Sequence, residues 1–322
     1  MPKRDPIAEK LARLSALRAS PPTSLVDELR ALLGDKSGLV VALAAKLAGE
    51  HGLVALASDL EAAFFRLADG PNKVDPGCRG KLAIAEALRE LDVASTNVFA
   101  RGVTIRQVES SDTAIALRVC SAGGLLQQRH PFALLEVAPL LADREANVRA
   151  GVAATLGGLE SEGAEALLRL RVAAGDEDAD VVGACLQALL RSSFDRNVDF
   201  VLAEVARAHA ADAPAIVQLA LLALGEARRP AAIAPLLHYA RTSPDDEVVA
   251  AALVSLALLR LAEADAHLFE LVESGSEARA VAAVQALRSR LLEASVATRL
   301  RALVDDRGGA VRAELDAIER RG

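Results

Sequence analysis

The sequence predicts an all-α chain organised as a solenoid of about eight or nine stacked helix pairs. Three observations carry this. Ala (68) and Leu (52) together exceed a third of the 322 residues, a mix dominated by strong helix formers. Aromatic residues make up only 2%, with no Trp, one Tyr and seven Phe, so the side chains that fill sheets are scarce. Finally, one apolar pattern at helical spacing recurs along the chain with a nearly constant period.

The pattern is clearest over residues 140–157. Val148, Val152 and Leu156 lie four residues apart, behind the turn Asp143-Arg144-Glu145, whose acidic groups suit the positive end of a helix. The same arrangement returns at Ile216–Gly225 and at Gly80–Leu88, each sixty-eight residues away. With Leu156 as reference, the equivalent positions are Leu88, Ala122, Leu156, Leu189, Leu224, Leu256, Leu287 and Ile318, at intervals of 34, 34, 33, 35, 32, 31 and 31. A further copy is expected over Leu39–Ala48. No such helix pair can bury its apolar face alone, so each must stack on its neighbours.

Taken in order, residues 1–22 stand apart as an N-terminal tail. Ile7, Leu11, Leu14 and Leu17 predict a short amphipathic helix over Pro6–Ala19, ended by Ser20-Pro21-Pro22. It either caps the first repeat or binds elsewhere. Residues 24–322 form the solenoid, less regular over 24–92 and regular over 95–322. Asp69–Gly77 is the longest turn-rich insertion. Val98–Val108 is rich in β-branched residues, yet Phe99, Val103 and Arg106 keep the spacing of a first helix. Pro139 and Pro230 punctuate first helices, and Pro235 is expected to kink a helix over 231–240. The polar end Asp316, Glu319, Arg320, Arg321 suits a terminal cap.

In the best unit Asp143, Val148, Arg149, Ala153, Ala154, Leu156 and Gly157 stand at the positions of an Asp turn, a Val-Arg pair, an Ala-Ala pair and a Leu-Gly ending. These units resemble the HEAT-repeat family in its short bacterial form, similar to the repeats of phycobilisome lyases. The resemblance covers roughly residues 24–322 and implies a right-handed α-solenoid. Tetratricopeptide repeats would bring aromatics at set positions, and ankyrin repeats a recurrent Thr-Pro-Leu-His turn; the chain carries neither. An Asp and a basic residue six apart let the turn carboxylate meet a cation of the second helix. The pairs Asp143 with Arg149, Asp75 with Lys81 and Asp306 with Arg312 keep that spacing, whereas Asp176 faces Val182.

Several chemistries are disfavoured. With 37 basic and 44 acidic residues the net charge is −7, unlike a general nucleic-acid binder, which needs clustered cations to displace counterions. A HEAT-like DNA glycosylase would want a basic face with aromatics. Cys78, Cys120 and Cys185 are 42 and 65 residues apart, without metal or redox spacing. His209, His238 and His267 recur every 29 residues, out of step with the repeat, so they drift around the helices instead of converging. Gly77-Cys78-Arg79-Gly80-Lys81 lacks the glycine spacing and the Ser/Thr of a phosphate loop; a turn with Lys81 on Asp75 is expected, an anion at the helix start being the alternative. Asp176-Glu177-Asp178-Ala179-Asp180 and Asp245-Asp246-Glu247 suit helix N-termini and lack the glycine turn of a calcium loop. Met1-Pro2-Lys3-Arg4-Asp5-Pro6 has no apolar stretch behind it, and the longest apolar run, Val248–Leu259, is too short to span a bilayer.

The informative surface is the second-helix layer, which lines the concave side of HEAT-like solenoids. One column reads Glu86, Cys120, Ala154, Gln187, Leu222, Val254, Gln285; the next reads Glu90, Gly124, Gly158, Arg191, Glu226, Leu258, Ser289. The expectation is a cytoplasmic, non-enzymatic scaffold that binds protein partners through Glu86, Gln187, Arg191, Glu226 and Gln285. No cofactor, metal, nucleic acid or membrane span is expected. The alternative implied by the resemblance is a bilin-lyase-like protein handling a chromophore.

Overall fold

The computed structural model describes residues 6–321, so residues 1–5 of the expected tail and Gly322 lie outside it. Among the described residues the regular structure is helical, with one isolated antiparallel bridge, Val108 to Asp112, and no strand. The chain forms two compact units, residues 1–156 and 157–322.

Unit 1 contains α1 (Pro6–Ala19), α2 (Leu25–Leu33), α3 (Gly38–Glu50), α4 (Ala57–Ala68), α5 (Arg79–Glu90), α6 (Thr96–Gly102), α7 (Ile115–Gln127), α8 (Ala133–Val137) and α9 (Ala146–Leu156). Unit 2 contains α10 (Glu162–Ala174), α11 (Ala179–Ser192), α12 (Phe194–Ala210), α13 (Pro214–Glu226), α14 (Ile233–Thr242), α15 (Asp246–Leu259), α16 (Ala262–Ser274), α17 (Glu277–Ala286), α18 (Ala294–Arg307) and α19 (Gly309–Arg321). Within unit 1, α3, α5, α7 and α9 pack each on the next; within unit 2, α11, α13, α15, α17 and α19 do the same. These odd-numbered helices are the inner row of each unit, and α2, α4, α6, α10, α12, α14, α16 and α18 each pack on the odd-numbered helix that follows.

The periodic anchors sit where those inner helices meet. Leu88, Ala122, Leu156, Leu189, Leu224, Leu256 and Leu287 are fully buried, and Ile318 is nearly so. Small residues beside the anchors let the backbones approach. A Cβ on Gly225 would lie 2.6 Å from the Ser255 carbonyl oxygen, and one on Gly157 would lie 2.6 Å from Ala188 Cα. The Leu-Gly ending is therefore a packing requirement. Helix starts follow the acidic turns: Asp178 accepts from the Asp180 amide, and Asp245 from the amides of Glu247 and Val248, satisfying donors the helix leaves open.

α1 spans the residues its pattern predicts. Leu14 and Leu17 are buried and α1 packs on α3, while Lys10, Arg13 and Arg18 pair with Asp35, Glu28 and Glu50.

Two expectations are corrected. The first helix expected through Arg106 stops at Gly102. Beyond it the carbonyls take side-chain donors instead: Thr104 Oγ1 donates locally to Arg101 O at 2.8 Å, and Arg118 Nη1 reaches Ile105 O from α7 at 3.0 Å. The helix over 231–240 is not kinked by Pro235, because a 3-10 turn over Pro230–Ala232 precedes α14 and puts Pro235 in its first turn. There the missing N–H has no helical partner to lose.

Candidate functional site

The inner row of unit 2 carries a cleft of about 460 Å3 at the C-terminal ends of α11 and α13. Its position follows from local chain geometry. α11 ends at Ser192, Ser193 takes up extended backbone (φ −160°, ψ 108°), and α12 begins at once with Phe194. This abrupt turn leaves room beside the last turn of α13.

Buried polar groups fix the turn. Asn197, with no exposed surface, donates through Nδ2 to Leu189 O and Ser193 O, both at 3.0 Å, while its Oδ1 accepts from Arg169 Nη2 at 2.7 Å. Ser192 Oγ lies 2.8 Å from both Leu159 O and Glu165 Oε1. Glu165 also takes both Nε and Nη2 of Arg196, at 3.2 and 2.6 Å. That guanidinium holds its carboxyl below the usual range. Such charge-assisted forks are directional as well as strong, so the start of α12 is held in one place.

Three of the five expected binding residues line this cleft: Gln187, Arg191 and Glu226. Gln187 Nε2 donates to Glu226 Oε2 across the gap between α11 and α13. Arg191 is exposed and, among the described residues, has no hydrogen-bond or ion-pair partner. Phe194 and Arg229, which lie outside the projected columns, line it as well. The Arg229 guanidinium sits 5.4 Å from the Phe194 ring centroid and 3.1 Å from Asp195 Oδ1. The cleft thus offers one guanidinium without an ion-pair partner among the described residues, one stacked on a ring, and a carboxylate already tied to an amide. It can take a carboxylate on its cationic side while apolar atoms rest on Phe194 and Leu190.

The other two expected residues do not line it. Gln285 is exposed on α17, and Glu86 is exposed on α5. Partial desolvation and then the Glu90 carboxylate push the Glu86 carboxyl up. Other column members serve packing: Cys120 is buried, and Gly124 is buried against the Phe99 ring.

Among the turn pairs, Lys81 Nζ lies 2.9 Å from Asp75 Oδ2 with both side chains buried. Arg149 Nη1 donates to the carbonyls of Asp143 and Arg144 at 2.8 and 3.1 Å. Arg312 meets Asp305 Oδ1 at 2.5 Å, one residue before the Asp306 that the spacing designates. Asp176 pairs with Arg171 of the preceding helix.

A further buried polar cluster centres on a residue that the sequence patterns do not mark. Arg118, fully buried on α7, lies 2.8 Å from Asp112 Oδ2 and 3.2 Å from Asp143 Oδ2, and Arg106 reaches the same Asp143 oxygen at 2.9 Å. Burial alone raises the Asp112 carboxyl, but the Ala114 amide and Arg118 outweigh it and hold it low. Asp112 and Arg118 are six apart, the spacing already recognised elsewhere.

The three cysteines are buried thiols; burial pushes Cys78 and Cys185 up to about 12. His209 and His238 both contact the Tyr239 ring, with centroids 5.8 and 5.3 Å away. Among the described residues no group of three His, Cys, Asp or Glu is placed to hold a metal ion, and no helix is long and apolar enough to cross a membrane. No protein-family model matches the chain, and no characterised protein is matched to it.

Proposed function

We infer that the chain is a HEAT-like, right-handed α-solenoid of eight or nine helix-pair repeats that serves as a non-enzymatic scaffold for a protein partner. The partner lies along the second-helix face and anchors an acidic side chain in the cleft between α11 and α13. One observation supports this reading: residues projected from the repeat register alone, Gln187, Arg191 and Glu226, line a single cleft in which Arg191 has no ion-pair partner among the described residues. Arg is enriched among the residues that dominate interfaces, and complementary charge steers encounter and fixes register.

Cross-linking from native lysate with wild type and with Arg191→Glu tests it. The expected result is a partner captured by wild type and lost with the variant, at unchanged helicity by circular dichroism. Equal capture by wild type, Arg191→Glu and Arg229→Glu would remove the cleft from the interface.

A further inference from the structure

We propose that the edge of unit 2 where the inner helices end binds an extended acidic protein segment through a row of arginines, one at each of four successive helix ends. The proposal rests on the cleft reading above and gives the partner a sequence chemistry. The four ends stand side by side. Those of α11 and α13 line the cleft. A Cβ on Gly225, near the end of α13, would lie 2.6 Å from the Ser255 carbonyl oxygen in the second half of α15. Arg260, just beyond α15, lies 3.3 Å from Glu293, which follows the 3-10 turn Leu287–Arg290 at the end of α17.

Each end exposes an arginine: Arg191, Arg228, Arg260 and Arg288. Among the described residues the side chains of Arg191, Arg228 and Arg288 have no hydrogen-bond or ion-pair partner. The carboxylates of this edge are largely committed: Glu226 to Gln187, Asp195 to Arg229, Asp265 to Arg290, and Glu293 to Arg260 and Arg290. Glu263, exposed at the start of α16, stands outside these pairs. The backbone gives a second, independent reason to assign these arginines a task. Arg228 and Arg260 leave their helices in left-handed conformation, at φ 51° and 54°, where a Cβ is unfavourable. The outer helices of the same unit leave in that conformation through Gly175, Asp212 and Gly308. Both kinds of end carry the same negative helix dipole, so the dipole does not choose arginine. Packed helices lie about 8–10 Å apart, and an extended chain advances about 3.3 Å per residue. A carboxylate at every third residue therefore keeps step with the row, and guanidinium forks suit carboxylates. Unit 2 as a whole has 18 basic against 26 acidic residues, which opposes a long polyanion and favours a short segment held at this edge.

Fluorescence anisotropy of the full chain with a labelled peptide of repeated Glu-Gly-Ser, and with repeated Gln-Gly-Ser as the uncharged control, tests the row at fixed ionic strength. The glutamate peptide should bind and the glutamine peptide should not. Arg191→Gln, Arg228→Gln and Arg288→Gln should each weaken binding about threefold, and the triple variant about thirtyfold, as separated, exposed ion pairs add. Arg241→Gln removes the same charge from an exposed arginine beside the start of α15, away from this edge, and should change nothing. A loss at Arg191 with none at Arg228 or Arg288 would remove the row and leave the cleft standing. Losses at Arg228 and Arg288 with none at Arg191 would keep the row and remove the cleft. No binding, a loss in Arg241→Gln equal to that in Arg228→Gln, or tighter binding of an oligothymidylate of equal charge would overturn the proposal.

Discussion

The two units solve the same packing problem with different polar chemistry. Their inner helices stack alike, anchor on anchor. Unit 1, however, has 19 basic against 18 acidic residues, and unit 2 has 18 against 26. In unit 1 the joints between helices are held by buried charge: Lys81 on Asp75, and Arg118 between Asp112 and Asp143. In unit 2 the α11–α12 joint combines the buried amide of Asn197 with Glu165 and its half-exposed partner Arg196, Arg290 joins Asp265 and Glu293, and helix starts carry Asp and Ser caps. The cause lies in the loops. Unit 1 carries long irregular segments whose backbone groups need partners, and a long cation can serve several at once. Unit 2 turns within a few residues, so an amide, a cap or an ion pair with one partner nearer the solvent suffices.

The largest expected effect breaks the buried charge. Arg118→Ala leaves two carboxylates buried beside an empty space, and removing one partner of a buried pair costs about 3–5 kcal/mol. Urea unfolding should show that loss. The triple variant Arg118→Met with Asp112→Asn and Asp143→Asn should recover part of it, because stranded charge, more than lost packing, sets the cost. A triple variant no more stable than the single one would mean that the side-chain volume of Arg118 matters most.

Asn197→Ala should cost less, about 1–3 kcal/mol, the penalty for leaving buried carbonyls and the Arg169 guanidinium without a partner. The same variant distinguishes the joint from the cleft it frames. If the joint only positions α12, partner capture should weaken in proportion to the lost stability and recover on cooling. A cost as large as that of Arg118→Ala would erase the contrast between the units.

This contrast also explains what the sequence made legible. The anchors from Leu88 to Ile318 are readable because burial on a stacked helix follows the helical period. Gln187, Arg191 and Glu226 are readable for the same reason: α11 and α13 are regular, so a column drawn on one continues on the next. Phe194 and Arg229 lie in turns beyond those columns, where no period applies. Arg118 was hidden by its own type, since a long cation within Ile115–Cys120 looks like the solvent face of a helix. Only Asp112 six residues earlier marks it. The segment after α6 also leans on Arg118, through its bond to Ile105 O, so the two features share one hidden residue.

The smallest predicted effect concerns backbone strain at the ends of the inner helices. Gly52 follows α3 with φ 62°, yet Arg129, Arg228 and Arg260 hold equivalent left-handed conformations after α7, α13 and α15, at 50°, 51° and 54°. For a residue with a Cβ this region costs about 1–2 kcal/mol, a cost glycine escapes. A cation at a helix C-terminus returns about 0.3–1 kcal/mol through the dipole. Arg228→Gly should therefore raise the urea midpoint slightly, the stability gain on those two figures being about 0–1.7 kcal/mol. Arg228 is the cleanest of the three to test, because Arg260 also pairs with Glu293 at 3.3 Å. A fall in the midpoint would show that charge at the helix end outweighs strain. The unit 2 arginines would then belong with the buried cations of unit 1 as structural charge, and the contrast between the units would narrow.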